Sequence, residues 1–471
     1  MSAYNPFGVD LAQLPTADLA VLRTVNEGWY VEYKSEAPNA ASIAKSVSAF
    51  ANTYGGWLFY GVKEKSKSEP VAGEFVGVAR EDADAALQKI RQACANAINP
   101  TPHFEIKALW GPEPDIGLAE DRCVICLEIP MGQASPYIHS SGMIYRRVGD
   151  GSEPKPETDR VMLEQLWKRP EEIRKEYRRW INTDLELSKS EAEQPFVRIF
   201  ITPDLWRDRF VWTPLTTAKV REIFNAMADD DTLLATPFDT VYRTAAGFVG
   251  RQVVGNDPQR LSATWFLREN LTSEIVIPLS VIADCAIEHL SYRLEGYENA
   301  EAFARALSAH GHNRPKIVDL NFLFNTLVGV FNIQDRLDAQ AGRTGPLWVK
   351  CELINVWRAR PFVDVEQVVA YQAEHGVPVC LQRRVLAPSG TEPDSFAFVG
   401  DYPGAKPMLR KIYQAINTFD PIAAAFGIET GWDFDSDADG HRPVIHHALL
   451  EAGKRAAVAQ DARNRRAARE R

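Results

Sequence analysis

The sequence predicts an α+β fold divided between at least two domains, and three observations support this. Short alternating or apolar segments typical of strands are interleaved with longer segments of helical periodicity up to about residue 182. The chain has 471 residues, which is more than one hydrophobic core usually serves. A polar stretch at 187–194 (LSKSEAEQ) precedes a new strand-like run at 196–202. We therefore expect a mixed sheet with packed helices, followed by a second α+β domain.

The first elements are a predicted helix and a predicted strand. Apolar residues recur near helical spacing at 16–26, with Thr16 as the expected cap. The segment 29–34 (WYVEYK) alternates and is rich in aromatic residues, as strands are. It places Glu32 and Lys34 on the same face, so this strand is expected to expose a charged face.

A helix-to-strand unit is predicted next. The segment 42–53 (SIAKSVSAFANT) has helical periodicity, and Ser42 is the expected cap. Gly55 and Gly56 are expected to end this helix and turn the chain into the apolar strand 57–62.

The rest of the chain continues the mixed pattern. Before the polar stretch we expect a helix at 82–98, strands at 104–110, 124–129 and 143–148, and a charged helical region at 158–182 interrupted at Pro170. After it we expect strands at 196–202, 274–279 and 347–349, and helices at 298–309 and 409–418. The predicted domains are 1–160, a helical linker at 161–194, a second α+β domain of unknown role at 195–453, and a basic tail at 454–471.

Composition and charge limit the classes of function. The chain is 45% hydrophobic and 25% charged, as ordinary globular proteins are. A net charge of −10 argues against a protein that coats nucleic acid, so any nucleic-acid site must be local. No secretion signal or membrane span is recognised, and six scattered cysteines do not form a disulfide framework. We expect a cytoplasmic protein that does not bind membranes.

Three acidic residues of the first domain are candidate metal ligands. Glu27 and Glu32 flank the start of the first strand, and Glu64 follows the strand 57–62. If these strands pair, the carboxylates converge and can bind a hard cation such as Mg²⁺ or Mn²⁺. Such an ion activates water and neutralises charge on a phosphodiester, which makes the three residues catalytic candidates. The alternative is three solvated surface acids.

Four basic residues are candidate phosphate contacts. Lys34 shares a face with Glu32, Lys45 lies on the next helix, and Arg146 and Arg147 stand together in the segment YRRVG. Adjacent residues of a strand point to opposite faces, so at most one of the two arginines is expected to meet a ligand.

Other metal and cofactor patterns are weak. Cys123 and Cys126 have the spacing of half a zinc site, but residues three apart in a strand face opposite sides, so zinc is not expected. The segment 435–440 (DSDADG) imitates a calcium loop, but His446 stands where the bidentate Glu belongs. No phosphate-binding glycine loop is present, so no nucleotide cofactor is expected.

Three strings resemble one family in order and spacing. They are VEYK at 31–34, SVSAFANTYGGWLFYGVKE at 46–64 and IPMGQASPYIHSSGMIYRRVGDGS at 129–152. Together they resemble the Schlafen AlbA-2 domain over about residues 15–160. The resemblance implies nucleic-acid binding. In nuclease members of that family two glutamates and an aspartate form a metal site, and the corresponding positions here are Glu27, Glu32 and Glu64. The third position departs from the family, since GVKE replaces the frequent GVDD.

The resemblance leaves three functional hypotheses. The first is a divalent-metal-dependent endoribonuclease acting on structured RNA such as transfer RNA. The second is a non-catalytic DNA-binding transcriptional regulator whose second domain senses a signal or mediates assembly, including assembly of a homo-oligomer. The third is a scaffold for protein interaction. Fold analogy does not decide between them.

Overall fold

The chain is divided into two compact units in the computed structural model. The model describes residues 4–9, 11–148, 153–206, 215–225, 238–252, 260–343, 345–400, 402, 404–428, 430 and 448–459. Unit 1 comprises Met1–Ile181 and Trp206–Phe210, and unit 2 comprises Asn182–Leu205 and Val211–Arg471. The domain limits predicted from the sequence stay a prediction, since this division follows compactness and falls at other positions.

Unit 1 is built from short strands, three α-helices and the 3-10 helices Leu11–Gln13 and Thr16–Thr24 within its described residues. The helices are α1 (Ala40–Asn52), α2 (Arg80–Ala97) and α3 (Arg160–Asn182). The strands are β1 (Val31–Lys34), β2 (Gly56–Tyr60), β3 (Lys63–Ser66), β4 (Glu69–Glu74), β5 (Val78–Ala79), β6 (Ile98–Asn99), β7 (Glu105–Trp110), β8 (Arg122–Ile129), β9 (Ile138–His139), β10 (Tyr145–Arg146) and β11 (Lys155–Pro156). The predicted α+β class is confirmed.

A five-stranded sheet forms the centre of unit 1. Its order is β1-β2-β8-β5, and β7 also pairs with β8. β1 and β2 run parallel, with Glu32 opposite Leu58, as the helix-to-strand unit between them requires. Alternate residues of β2 enter different cores: Leu58 packs with α1 and α2, whereas Trp57 packs with the amino-terminal segment on the other face.

Local chemistry sets the limits of α1. The cap is Asn39, whose side chain accepts a hydrogen bond from Ser42 N, so the predicted cap at Ser42 is corrected by three residues. At the other end Gly55 adopts φ +74°, and a Cβ there would lie 2.6 Å from Ile129 O. The predicted role of glycine in this turn is confirmed, because only a residue without a side chain fits there.

Three further predicted elements differ from the structure. The segment Thr16–Thr24 is a 3-10 helix, and Thr16 does not cap it; its hydroxyl donates to Trp110 O instead. Pro170 lies inside α3 without interrupting it. The strand predicted at 143–148 is shorter in the structure, where β10 comprises only Tyr145–Arg146. The hairpin of β3 and β4 was not predicted, because β3 is mostly exposed and neither strand shows apolar alternation.

Unit 2 has more strands and a larger core. Its helices are α4 (Thr217–Asn225), α5 (Leu290–Arg293), α6 (Ala300–Ala309), α7 (Asn321–Gln340), α8 (Glu366–His375) and α9 (Pro407–Ala425). Its strands are β12 (Phe196–Thr202), β13 (Thr240–Thr244), β14 (Gly247–Arg251), β15 (Thr264–Arg268), β16 (Ser273–Pro278), β17 (Ser280–Ile282), β18 (Lys316–Asp319), β19 (Leu347–Ile354), β20 (Ala359–Phe362), β21 (Arg384–Ala387) and β22 (Ala397–Val399).

An eight-stranded sheet carries the main core of unit 2. Its order is β13-β14-β15-β16-β12-β19-β21, with β22 also on β19. Ile199 of the central strand β12 is fully buried among apolar side chains of α4, α7 and α9. On the other side of β12, Arg198 forms ion pairs with Glu274 at 2.6 Å and Glu352 at 3.2 Å. A three-stranded sheet of β17, β18 and β20 packs with α6 in a second, smaller core.

No helix within the described ranges combines the length and apolar character that crossing a membrane would require. α3 and α9 each bury one face and leave charged side chains on the other, whereas α7 is buried along most of its length.

Replacing Ile199 by Ala is expected to lower the free energy of unfolding of unit 2 by about 2–5 kcal/mol, because a cavity is left in a core that cannot collapse fully. Leu381→Ala is the control, since this side chain is 79% exposed. Denaturant titration of both full-length variants measures the difference. Equal losses in the two variants would contradict the assignment of the core to this face of β12.

Candidate functional site

A buried ion pair lies at the centre of the region carrying the predicted site. Arg147 Nη1 lies 2.8 Å from Glu32 Oε2, and both side chains are almost fully buried. Glu32 is held on β1, and Arg147 directly follows β10. The pair therefore connects segments that are 115 residues apart in sequence. A buried charge is stable only with its partner, so each residue constrains the position of the other.

The remaining contacts of Arg147 are also internal. Its Nε donates to Gly28 O at 3.1 Å, and Nη2 donates to the same carbonyl. The guanidinium lies 4.7 Å from the centre of the Phe50 ring. Burial lowers the pKa of Arg147, while the negative charges of Glu32 and Glu27 oppose that shift. These contacts hold the guanidinium inside unit 1.

The second carboxylate oxygen of Glu32 is shared by two donors. Ser46 Oγ donates to Oε1 at 3.0 Å, and Lys34 Nζ lies 3.0 Å from the same atom. Ser46 projects from α1, while Lys34 lies two residues along β1 on the predicted shared face. Both oxygens of Glu32 thus have cationic or hydroxyl partners from the protein itself.

Glu27 lies in the same electrostatic neighbourhood. Its Oε1 accepts a hydrogen bond from Tyr33 N at 2.9 Å. Burial raises the pKa of Glu27, and the charges of Glu32 and Glu64 raise it further, against the lowering effects of the Tyr33 N–H and Lys34. Glu64 reaches this neighbourhood from β3. Glu32 and Glu64 are therefore both close enough to affect the pKa of Glu27.

These acids do not form a ready metal site in this conformation. Among the residues that the structure describes, no three His, Cys, Asp or Glu side chains are grouped so that they can hold a metal ion. The donor chemistry suits Mg²⁺ or Mn²⁺, but Glu32 already neutralises Arg147 and Lys34. The metal-binding and catalytic roles of Glu27, Glu32 and Glu64 stay predictions.

The four predicted phosphate contacts have different environments. The side chain of Lys34 is 35% exposed, and Lys45 is half-buried with its ammonium 5.3 Å from the centre of the Tyr145 ring. Arg146 forms an ion pair with Glu157 at 2.6 Å and is largely buried. Arg147 lies inside the unit and not on a surface, and the phosphate contacts of all four residues stay predictions. Lys34 and Lys45 are the accessible pair.

Several residues at the site were not singled out from the sequence. Ser46 and Phe50 lie in the string at 46–64 that resembles the family. Their partners Glu32 and Arg147 are in other segments, so sequence spacing alone does not indicate these contacts. Tyr30 and Tyr54 are also partly exposed, with ring centres 6.1 Å apart, next to the start of β1. The aromatic residues next to β1 in the sequence could have indicated this exposed pair of tyrosines.

Other sequence candidates lie elsewhere or outside the described residues. Cys123 and Cys126 enter the two opposite cores of unit 1, as expected for residues three apart on β8. The calcium-like segment 435–440 lies outside the described residues. So do residues 460–471 of the predicted basic tail, whereas residues 454–459 are described and helical.

Comparison with known proteins identifies the region that contains this site. Residues 27–156 match the family described as Schlafen, AlbA_2. The predicted resemblance is confirmed, and the AlbA_2 match supports a nucleic-acid-related function. No curated protein matches the chain. A crystal structure of the DIP2311 protein from Corynebacterium diphtheriae aligns at 23% identity and a TM-score of 0.20, covering 30% of this chain and 24% of that protein.

Breaking the central ion pair of the AlbA_2 region is expected to destabilise it. Glu32→Gln leaves the buried charge of Arg147 without its acidic partner, which costs about 3–5 kcal/mol. Arg147→Met costs less, because Glu32 keeps Lys34 as a cationic partner. Replacing both residues by Met costs less than the sum, because no charge is then left alone. Denaturant titration tests this, with Lys65→Met as the control in an exposed ion pair. Additive losses would show that the pair is not coupled.

The raised pKa of Glu27 predicts a pH-dependent stability difference. Its stabilising contribution is fully present below its unfolded-state pKa and is lost as the pH rises through the raised folded-state pKa. Glu27→Gln keeps an oxygen for Tyr33 N and cannot ionise. The variant should therefore gain stability relative to the wild type as the pH rises from acidic to neutral. Thermal unfolding across this range measures the difference, and a constant or opposite trend would contradict the burial of Glu27.

Proposed function

We propose that unit 1 is a nucleic-acid-binding domain that contacts phosphates through Lys34 and Lys45. The observation that carries the proposal is the family match over residues 27–156, which includes both lysines. Lys34 is partly exposed and Lys45 directly precedes Ser46, whose hydroxyl shares Glu32 Oε1 with Lys34. Two ammonium groups on adjoining elements suit successive backbone phosphates.

The exposed rings of Tyr30 and Tyr54 are consistent with an unpaired strand as ligand. Bases of single strands or loops stack on aromatic side chains, whereas the bases of a duplex are already stacked. Tyr30 directly precedes β1, which carries Lys34, so rings and cations are presented by the same strand and its neighbours. Structured RNA with loops, such as transfer RNA, fits this combination better than continuous duplex DNA.

A second candidate function is Mg²⁺- or Mn²⁺-dependent endoribonuclease activity on such RNA. The feature that favours it is the placement of Glu27, whose Oε1 accepts the Tyr33 N–H at 2.9 Å, one residue from Glu32. The charges of Glu32 and Glu64 contribute to the raised pKa of Glu27. The engagement of Glu32 by Arg147 favours the alternative, a non-catalytic DNA-binding regulator in which unit 2 supplies sensing or assembly. Cleavage would require Glu32 to exchange protein partners for an ion.

Lys34→Ala and Lys45→Ala are expected to weaken RNA binding and to reduce the salt dependence of the binding constant. Each phosphate that is no longer neutralised lowers the slope of log K against log salt by about 0.7 for single strands. Lys65→Ala is the matched control, since it removes a lysine of unit 1 that is paired with Glu69 on the β3–β4 hairpin. Fluorescence anisotropy with labelled transfer RNA and duplex DNA measures binding. Equal behaviour of all three variants would contradict the proposal.

Glu64→Gln tests catalysis without disturbing the buried ion pair. If the endoribonuclease hypothesis holds, the wild type cleaves transfer RNA with Mn²⁺ but not with EDTA, and Glu64→Gln loses cleavage while retaining RNA binding. Glu74→Gln is the control, because it makes the same charge change at an exposed site on the same hairpin. Binding without cleavage of RNA or DNA under any of these conditions would favour the regulator.

A further inference from the structure

Basic side chains from three segments of unit 2 are brought together around Trp357. Arg358 and Arg360 follow this residue at the start of β20, Lys316 begins β18, and Arg383 immediately precedes β21. We call Trp357, Arg358, Arg360, Lys316 and Arg383 the Trp357 surface. Its residues lie outside the AlbA_2 match, so the proposed function of unit 1 leaves it unexplained.

The backbone fixes these segments against one another. Arg358 N donates to Cys380 O at 2.7 Å, and Val356 N donates to Arg383 O at 3.3 Å. β18 and β20 pair in parallel, which places the beginnings of both strands at the same edge. The backbone of the sheet and its connections therefore brings these basic residues close to one another.

Trp357 is the aromatic centre of the surface. Its side chain is 42% exposed. The guanidinium carbons of Arg358 and Arg383 lie 4.3 and 5.9 Å from the indole ring centre. Within the described part of the chain, neither guanidinium pairs with an acidic side chain. Both arginines thus keep their donors for a ligand.

The cations of the surface also influence one another. Burial lowers the pKa of Arg360, and the charge of Arg358 lowers it further. Burial likewise lowers the pKa of Lys316, where the positive charge of Arg383 opposes the raising effect of Glu193. Like charges held this close repel, and a bound anion relieves that repulsion.

The backbone that presents Trp357 adopts an uncommon conformation. Asn355 has φ +59° and Arg358 has φ +58°, so left-handed residues stand on both sides of the tryptophan. A non-glycine residue in this region costs free energy, less for asparagine than for arginine. A turn that retains this cost to expose an aromatic ring between cations is typical of a binding surface.

We propose that the Trp357 surface binds the phosphates of a single-stranded nucleic acid. Arg358 and Arg383 provide the phosphate contacts, and the exposed part of the Trp357 indole offers aromatic surface to a base. Lys316 and Arg360 add positive charge, since their own donors already meet internal acceptors. The choice of nucleic acid over another polyanion rests on the proposed function of unit 1. The surface would then be a second contact region, on a unit whose role the sequence leaves open.

The test uses the full chain and a control of equal charge change. The double variant Arg358→Gln/Arg383→Gln removes two cations without acidic partners in the described structure. The control, Arg243→Gln/Arg305→Gln, removes two exposed arginines of unit 2 that are paired with Glu269 and Glu301. Circular dichroism and thermal unfolding establish that both variants are folded. Binding of a labelled oligo-uridine is measured by anisotropy over a range of salt concentrations.

The proposal expects the Arg358/Arg383 variant to bind roughly tenfold more weakly at low salt, with a slope lowered by about 0.7 for each phosphate that is no longer bound. The control should match the wild type. Equal binding by the two double variants overturns the proposal. So does the absence of oligo-uridine binding by the wild type, or stronger binding to phosphatidylserine vesicles that disappears when the same two arginines are replaced.

Lys34→Ala/Lys45→Ala, measured in parallel, separates this proposal from the proposed function of unit 1. If only the Arg358/Arg383 variant loses affinity, the Trp357 surface stands and the lysine site of unit 1 fails. If only the Lys34/Lys45 variant loses affinity, the Trp357 surface fails and the lysine site stands. Weaker binding by both variants supports two contact regions on one chain.

Discussion

The buried ion pair of Glu32 and Arg147 is the interaction on which the candidate site of unit 1 depends. Desolvating either charge alone is expensive, so the guanidinium, the carboxylate and the carbonyl of Gly28 must assemble together. This requirement ties the start of β1 to the segment after β10 and orients Glu32 toward Ser46 and Lys34. The same interaction explains why Glu32 is poorly placed to act as a free metal ligand. Holding the fold together requires Glu32 to keep its partner Arg147, whereas binding a metal ion requires it to give that partner up.

Much of the fold could be predicted because its signals are local. The apolar period of α1, the glycines after it and the alternation in β1 are all visible within a few residues. The cap at Asn39 was missed because both Asn39 and Ser42 are good capping residues, and only tertiary packing decides between them. The β3–β4 hairpin was missed for a different reason. Strands that are exposed on both sides, as at Lys63–Ser66, carry no hydrophobic pattern to detect.

The candidate site was predictable as a set of residue types, but not as a set of contacts. The order of the strings led to Glu32 and to the adjacent arginines, and strand geometry indicated that Arg146 and Arg147 face different ways. Both are buried in the structure, and the partners of Arg147 are Glu32 and Phe50, far away in the chain. Sequence spacing holds no information on those contacts. The Trp357 surface was beyond prediction for the same reason, since its cations come from three separated segments of unit 2.

The two proposed basic surfaces differ in the internal partners that a bound phosphate would have to displace. At Lys34 a phosphate must compete with Glu32, which already lies 3.0 Å from the ammonium, so part of the attraction is used in displacing an internal partner. At Arg358 and Arg383 no acidic partner among the described residues has to be displaced. The second surface should therefore contribute more affinity for each charge, and the first more selectivity, because its lysines lie beside shaped aromatic and carboxylate groups. On an acidic protein, local clusters of this kind are the means by which a polyanion can be bound at chosen positions and repelled elsewhere.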